Sequence, residues 1–235
     1  MDTILQIFFS PGKAFSELKR ENKFPVMAFV ILLLLLAVNY ILMVPITSKV
    51  MEVTMSLMPM QMPEKQFDAM MSMMHKLRYL MVIGNVFTIA IFLFIYALIL
   101  YVITVIFKPA ITYVKAFTLI IYSYFAILIG ELINTGILYM RGLENITSPF
   151  EVMFTGLNLF TTIEETGAGI YTLLCLINPF QILFMVLLSI GLKIFADIKY
   201  IKALLICFIF WLITIIIPIG SAIFSEIAMN KAGLM

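Results

Sequence analysis

FPVMAFVILLLLLAVNYILMV, residues 24–44, carries no charged side chain. A helix of about 20 apolar residues crosses the roughly 30 Å hydrocarbon core of a bilayer, and this run is long enough to do so. Four further apolar runs follow at 79–107, 117–140, 171–196 and 203–224, charged only at Glu131 in the second of these and Lys193 near the end of the third. Across all 235 residues 63 % are apolar, too much hydrocarbon for a water-soluble domain of this size to hide. Inside a membrane only helices and closed barrels satisfy the backbone. Barrel strands alternate at a period of two residues, and these solid runs do not. The expected fold is all-α: a polytopic transmembrane helical bundle of five spans. Its parts are a head over 1–23, a membrane domain over 24–226 and a tail over 227–235.

The run at 24–44 is too long for a signal-peptide core and no small-residue cleavage site follows it, so it reads as a retained first span. Five spans put the termini on opposite faces. With the N-terminus inside, nine of the fifteen basic residues are cytoplasmic: Lys13, Lys19, Arg20, Lys23, Lys108, Lys115, Lys193, Lys199 and Lys202. Lys49, Lys65, Lys76, Arg78, Arg141 and Lys231 fall outside. The group from Lys19 to Lys23 directly precedes the first span, where charge has most weight. The expected orientation is therefore N-in, C-out. The same nine cytoplasmic cations are candidate contacts for anionic lipid or a protein partner.

The head is amphipathic. Ile4, Leu5, Ile7, Phe8 and Phe9 are apolar, and Ser10-Pro11 reads as a cap followed by proline at the first helical position. The helix that follows sets Phe15 and Leu18 against Lys13, Glu17 and Lys19, which suits the cytoplasmic membrane surface or a docked partner.

The first outer loop, 45–78, is rich in methionine, and Pro63-Glu64 marks a helix start within it. A Met-rich outer-loop helix is expected there. Methionine is an adaptable apolar filler. The competing reading makes Met58, Met60, Met62 and His75 soft Cu(I) ligands. In the second outer loop Glu164 and Glu165 read as a solvated helix end, and Asn145-Ile146-Thr147 fits a glycosylation acceptor.

Polar groups within the spans are few. Glu131 is the one carboxylate well inside a span, and Asn134 shares its helical face. Asn39, Asn85 and Asn178 are the other intramembrane amides. A charge at that depth costs several kcal/mol, so Glu131 is expected to be protonated, paired or facing water. These groups serve either as glue between helices or as a proton- or cation-responsive site. Asn178-Pro179 reads as a cap and proline, so the fourth span restarts there, and Lys193 and Asp197 are spaced to pair at its end. Pro218 is expected to kink the fifth span.

Catalytic chemistry is missing from the pattern. One histidine, two cysteines within apolar runs (Cys175 and Cys207), and no nucleophile elbow or phosphate-cradling glycine loop argue against an enzyme, a metal centre or a cofactor. A net charge of +2 argues against nucleic acid as a partner.

Residues FSPGKAF at 9–15, NPFQ at 178–181, SIGL at 189–192 and Lys202-Ala203, with a last apolar span near the C-terminus, resemble the Yip-domain family of Ypt/Rab-interacting membrane proteins. The resemblance implies a non-enzymatic multi-pass protein, a scaffold or adaptor linked to membrane trafficking. Eukaryotic members associate with prenylated Rab GTPases through a long cytoplasmic N-terminal region. Here about 23 residues precede the first span, so a prokaryotic-type member of an inner membrane is expected. The second hypothesis from the residues is a small transporter or channel with a polar path around Glu131.

Overall fold

The computed structural model describes residues 2–21, 24–57, 64–109, 111–146 and 152–231. Among them the regular structure is entirely helical: α1 (Asp2–Phe9), α2 (Pro11–Glu21), α3 (Val26–Leu57), α4 (Glu64–Ile106), α5 (Tyr113–Arg141), α6 (Ile163–Leu176), α7 (Pro179–Ala196) and α8 (Tyr200–Lys231). Short 3-10 turns at Leu143–Asn145 and Leu157–Phe160 punctuate the segment between α5 and α6. Five helical stretches are long and apolar enough to cross a membrane: Val26–Thr54, Lys76–Ile106, Tyr113–Arg141, Pro179–Ala196 and Tyr200–Phe224.

Two spans outrun their apolar stretches. α3 continues through Pro45 to Leu57, and α4 begins at Glu64 and runs unbroken into the second span. At 1.5 Å per residue the 43 residues of α4 extend about 64 Å, twice the hydrocarbon thickness. The Met-rich segment after Pro63 is therefore the first part of α4 and not a separate helix. Met58, Met60 and Met62, and the side chain of His75, lie outside the described residues. No cluster of three or more His, Cys, Asp or Glu side chains is found among the described residues.

The stretch 171–196 is two helices. Ile177 leaves the helical region (φ −92°, ψ 87°) and Asn178 is extended (φ −136°, ψ 161°), so α6 stops and α7 starts anew. Proline at N1 has no amide hydrogen to continue α6, and Asn178 caps the new start. Its Oδ1 accepts from the Gln181 N–H at 2.8 Å, and its Nδ2 donates to the Cys175 carbonyl at 3.1 Å.

α5 is the central helix, packed by α3, α4 and α7, while α8 closes the outer side of α6 and α7. An aromatic stack at one end links three spans: Phe117 lies 4.7 Å from Phe94 and 5.5 Å from Phe29. α3 and α4 expose large apolar side chains such as Met27, Leu34, Ile83 and Phe87, as lipid-facing helices do. Cys175 and Cys207 are free thiols, and Cys207 is fully buried as a small hydrophobe.

The head does more than lie on a surface. α2 packs on α7 with Ala14, Phe15 and Leu18 buried. The Phe15 ring meets Phe195 edge-on at 6.4 Å and presses on Gly191, where a Cβ would lie 3.0 Å from the ring and 2.5 Å from Leu119 Cδ2. Only the bare glycine backbone admits that approach. Lys19 Nζ donates to the Ile194 carbonyl at 2.7 Å, in the last turn of α7, where the helix dipole favours a cation. Lys193 and Asp197 form no ion pair: among the described residues the one salt bridge is Lys49–Glu52 at 3.1 Å. Asp197 instead turns the chain in the left-handed region (φ 53°), its N–H donating to the Lys193 carbonyl.

Candidate functional site

The break before α7 opens a cavity of about 470 Å³ between α3, α4, α5 and the α6–α7 junction. All five polar residues singled out within the spans, Asn39, Asn85, Glu131, Asn134 and Asn178, line it. Packing of α3, α4, α5 and the α6–α7 junction brings them around one cavity. α3 and α5 face each other through Asn39, whose Nδ2 donates to Glu131 Oε2 at 3.5 Å. The Thr135 hydroxyl lies 2.9 Å from Asn39 Oδ1 and 2.9 Å from the Glu131 carbonyl, so its proton has two acceptors. Asn39 and Thr135 are each 3 % exposed. In this low-dielectric setting the small network ties α3 to α5.

Asn134 works differently. Its Nδ2 donates to the Val152 carbonyl and its Oδ1 accepts from the Phe154 N–H, both at 2.7 Å. One side chain thus satisfies two backbone groups of an irregular segment at membrane depth. Irregular backbone survives there only when so satisfied. The Leu157 N–H donates to the Ile177 carbonyl at 3.1 Å, closing the segment over the end of α6. Val152, Met153 and Thr155 then form one wall of the cavity. Opposite, Gly130 lets Phe180 sit directly on α5, where a Cβ would come within 2.6 Å of the Phe180 ring.

Arg78 also lines the cavity. Reading the second span from residue 79 placed it in the outer loop, whereas the helix carries it at the third residue of the span Lys76–Ile106. Its guanidinium stands 4.9 Å from the centroid of the Tyr79 ring. Its Nε is buried without a hydrogen-bond partner. Thr135 and Tyr40 are further lining residues that no motif marked, and Gln181, the last residue of NPFQ, was not singled out for the site. Their polarity is ordinary in a helix, and only the packing of α3, α5 and α7 brings them together. Apolar side chains such as Met43, Val44, Met81 and Ile127 make up most of the remaining wall.

The basic candidates gather at the opposite end. The α4–α5 turn, the α7–α8 turn and α2 share that end, as the contacts of Phe15 with Gly191 and of Gly191 with Leu119 require. Lys13, Arg20, Lys108, Lys193, Lys199 and Lys202 are exposed there, Lys115 is half-buried, and Lys19 is engaged with Ile194. Lys23 lies outside the described residues.

No curated protein and no solved structure matches the chain. The Yip1 domain matches residues 5–221, a length that takes in α2, the first four spans, all but the last three residues of the fifth and the lining of the cavity. With helices, spans and match nearly coextensive, this chain belongs to the Yip1 domain family of multi-pass membrane proteins.

Proposed function

We propose that the protein is a non-enzymatic membrane adaptor that presents its basic end to anionic lipid head groups or to an acidic partner, with that end in the cytoplasm. The observation that carries this reading is the docking of α2 on α7. It brings exposed Lys13 and Arg20 to the end of the bundle where Lys193, Lys199 and Lys202 are also exposed. Each basic residue near an anionic leaflet contributes about 1 kcal/mol. Rab binding by family members is a eukaryotic precedent for a protein partner at this end.

Native mass spectrometry of the protein extracted from its own membrane tests this. A companion, either a protein or an anionic lipid, is expected at stoichiometric level. It should be lost when Lys13, Arg20, Lys199 and Lys202 are changed to glutamine. A companion that survives those changes, or a bare wild-type protein, overturns the reading. Membrane-impermeant maleimide applied to intact cells tests the orientation: Asn145→Cys should label and Lys199→Cys should not.

The cavity favours a second reading, a small transporter with Glu131 in a polar path. Glu131→Gln should then abolish solute flux in proteoliposomes and leave folding intact. Flux that persists sinks the idea.

A further inference from the structure

We infer that the cavity between α3, α4, α5 and the α6–α7 junction is a binding site for one phospholipid with a primary-amine head group. Arg78 receives the phosphate and Glu131 the ammonium. This inference does not depend on the adaptor reading, since the cavity and the basic end are at opposite ends of the bundle.

The first argument is charge. A guanidinium and a carboxylate line one mostly apolar cavity and are not within ion-pair distance of each other. Neither has a counter-charge among the described residues, and a charge in an apolar cavity is costly until it meets one. A purely anionic ligand would satisfy Arg78 and be repelled by Glu131. A purely cationic one would do the reverse. A zwitterion neutralises both.

The second argument is hydrogen bonding. Arg78 Nε is buried and unpartnered, and a phosphate oxygen is the acceptor best matched to a guanidinium. Glu131 receives a single long hydrogen bond, from Asn39 at 3.5 Å, so its carboxylate retains acceptor capacity. The Asn85 side chain lines the same wall. Such acceptors call for an N–H donor, which an ammonium has and a trimethylammonium lacks.

The third argument is position. Along α3 the lining runs from Asn39 to Met51, twelve residues, or about 18 Å. It therefore begins within the apolar run 24–44 and ends beyond it, at the head-group level. Met81 lines the cavity and is 48 % exposed, within one turn of exposed Leu80 and Ile83 on α4. The cavity is thus continuous with the lipid-facing surface, and acyl chains have a path out past Met43, Val44 and Met81.

The test uses the full chain in nanodiscs containing phosphatidylethanolamine, phosphatidylcholine and phosphatidylglycerol in equal amounts, released into native mass spectrometry. Wild type should retain one phosphatidylethanolamine per chain. Arg78→Gln should lower that retention at least about tenfold. Glu131→Gln should lower it similarly and raise phosphatidylglycerol relative to it, because the repulsion is gone. Equal retention of the three lipids by wild type overturns the inference without any variant. So does a preference for phosphatidylglycerol, or retention of phosphatidylethanolamine unchanged in both variants.

Discussion

Phe15→Ala should release the N-terminal helices from the bundle while leaving the five spans assembled. Phe15 is fully buried, wedged between the bare backbone of Gly191 and the edge of Phe195. Truncating a buried phenylalanine to alanine costs about 3–5 kcal/mol. The lower figure fits here, because α2 can lift away instead of enclosing a void. A loss of about 3 kcal/mol shifts the docked-to-free ratio roughly 150-fold. Hydrogen exchange in nanodiscs reads this directly: amides of α2 should lose about two decades of protection while amides of α5 keep theirs. Trypsin supplies a second readout at Lys19, whose ammonium is held by the Ile194 carbonyl in the docked state. Gly191→Val crowds the Phe15 ring from the other side and should also expose α2 with the head unaltered; its side chain meets Leu119 as well, so in this variant α5 should lose some protection too. The double variant should lose less than the sum of the two, since one contact cannot be broken twice. Unchanged exchange of α2 in both single variants would refute a docked head.

Three further outcomes are expected. Asn134→Leu removes two hydrogen bonds and strands the Val152 carbonyl and the Phe154 N–H; thermal or SDS unfolding should show about 1–3 kcal/mol of destabilisation, with protection lost over residues 152–155. Asn178→Ala removes the N-cap of α7 and should cost about 1 kcal/mol in the same assay, whereas Asn178→Ser, which keeps an accepting oxygen without adding a charge, should cost less. Asp197→Gly relieves a non-glycine residue at φ 53° and should be neutral or stabilising by up to about 1 kcal/mol; a clear loss of stability would mean that the Asp197 side chain holds the turn between α7 and α8.

Much of the fold was legible because hydrocarbon length is a one-dimensional property. The run 24–44 reports a bilayer crossing without reference to any neighbour, and so do the runs at 79–107, 117–140 and 203–224. The start of α2 at Pro11 and the capped restart at Asn178-Pro179 were legible for a related reason, since such starts are settled within four residues. Helix continuity was not. Pro63-Glu64 marked the start of α4, but nothing in the hydropathy of 45–57 or 64–78 says that α3 and α4 run unbroken past their apolar runs.

The candidate site divides along the same line. Sequence alone determined that Asn39, Asn85, Glu131, Asn134 and Asn178 are polar groups in apolar runs, since polarity and depth are both read residue by residue. It did not determine that they share one cavity, that Asn134 holds a loop backbone, or that Arg78 faces Glu131's cavity and not the solvent. It also left α2 free to lie on lipid, whereas Gly191 and Lys19 dock it on α7. Those outcomes depend on which helix faces meet, and that is set by packing between elements up to 175 residues apart, as in the Lys19–Ile194 bond. Local sequence carries no term for such contacts.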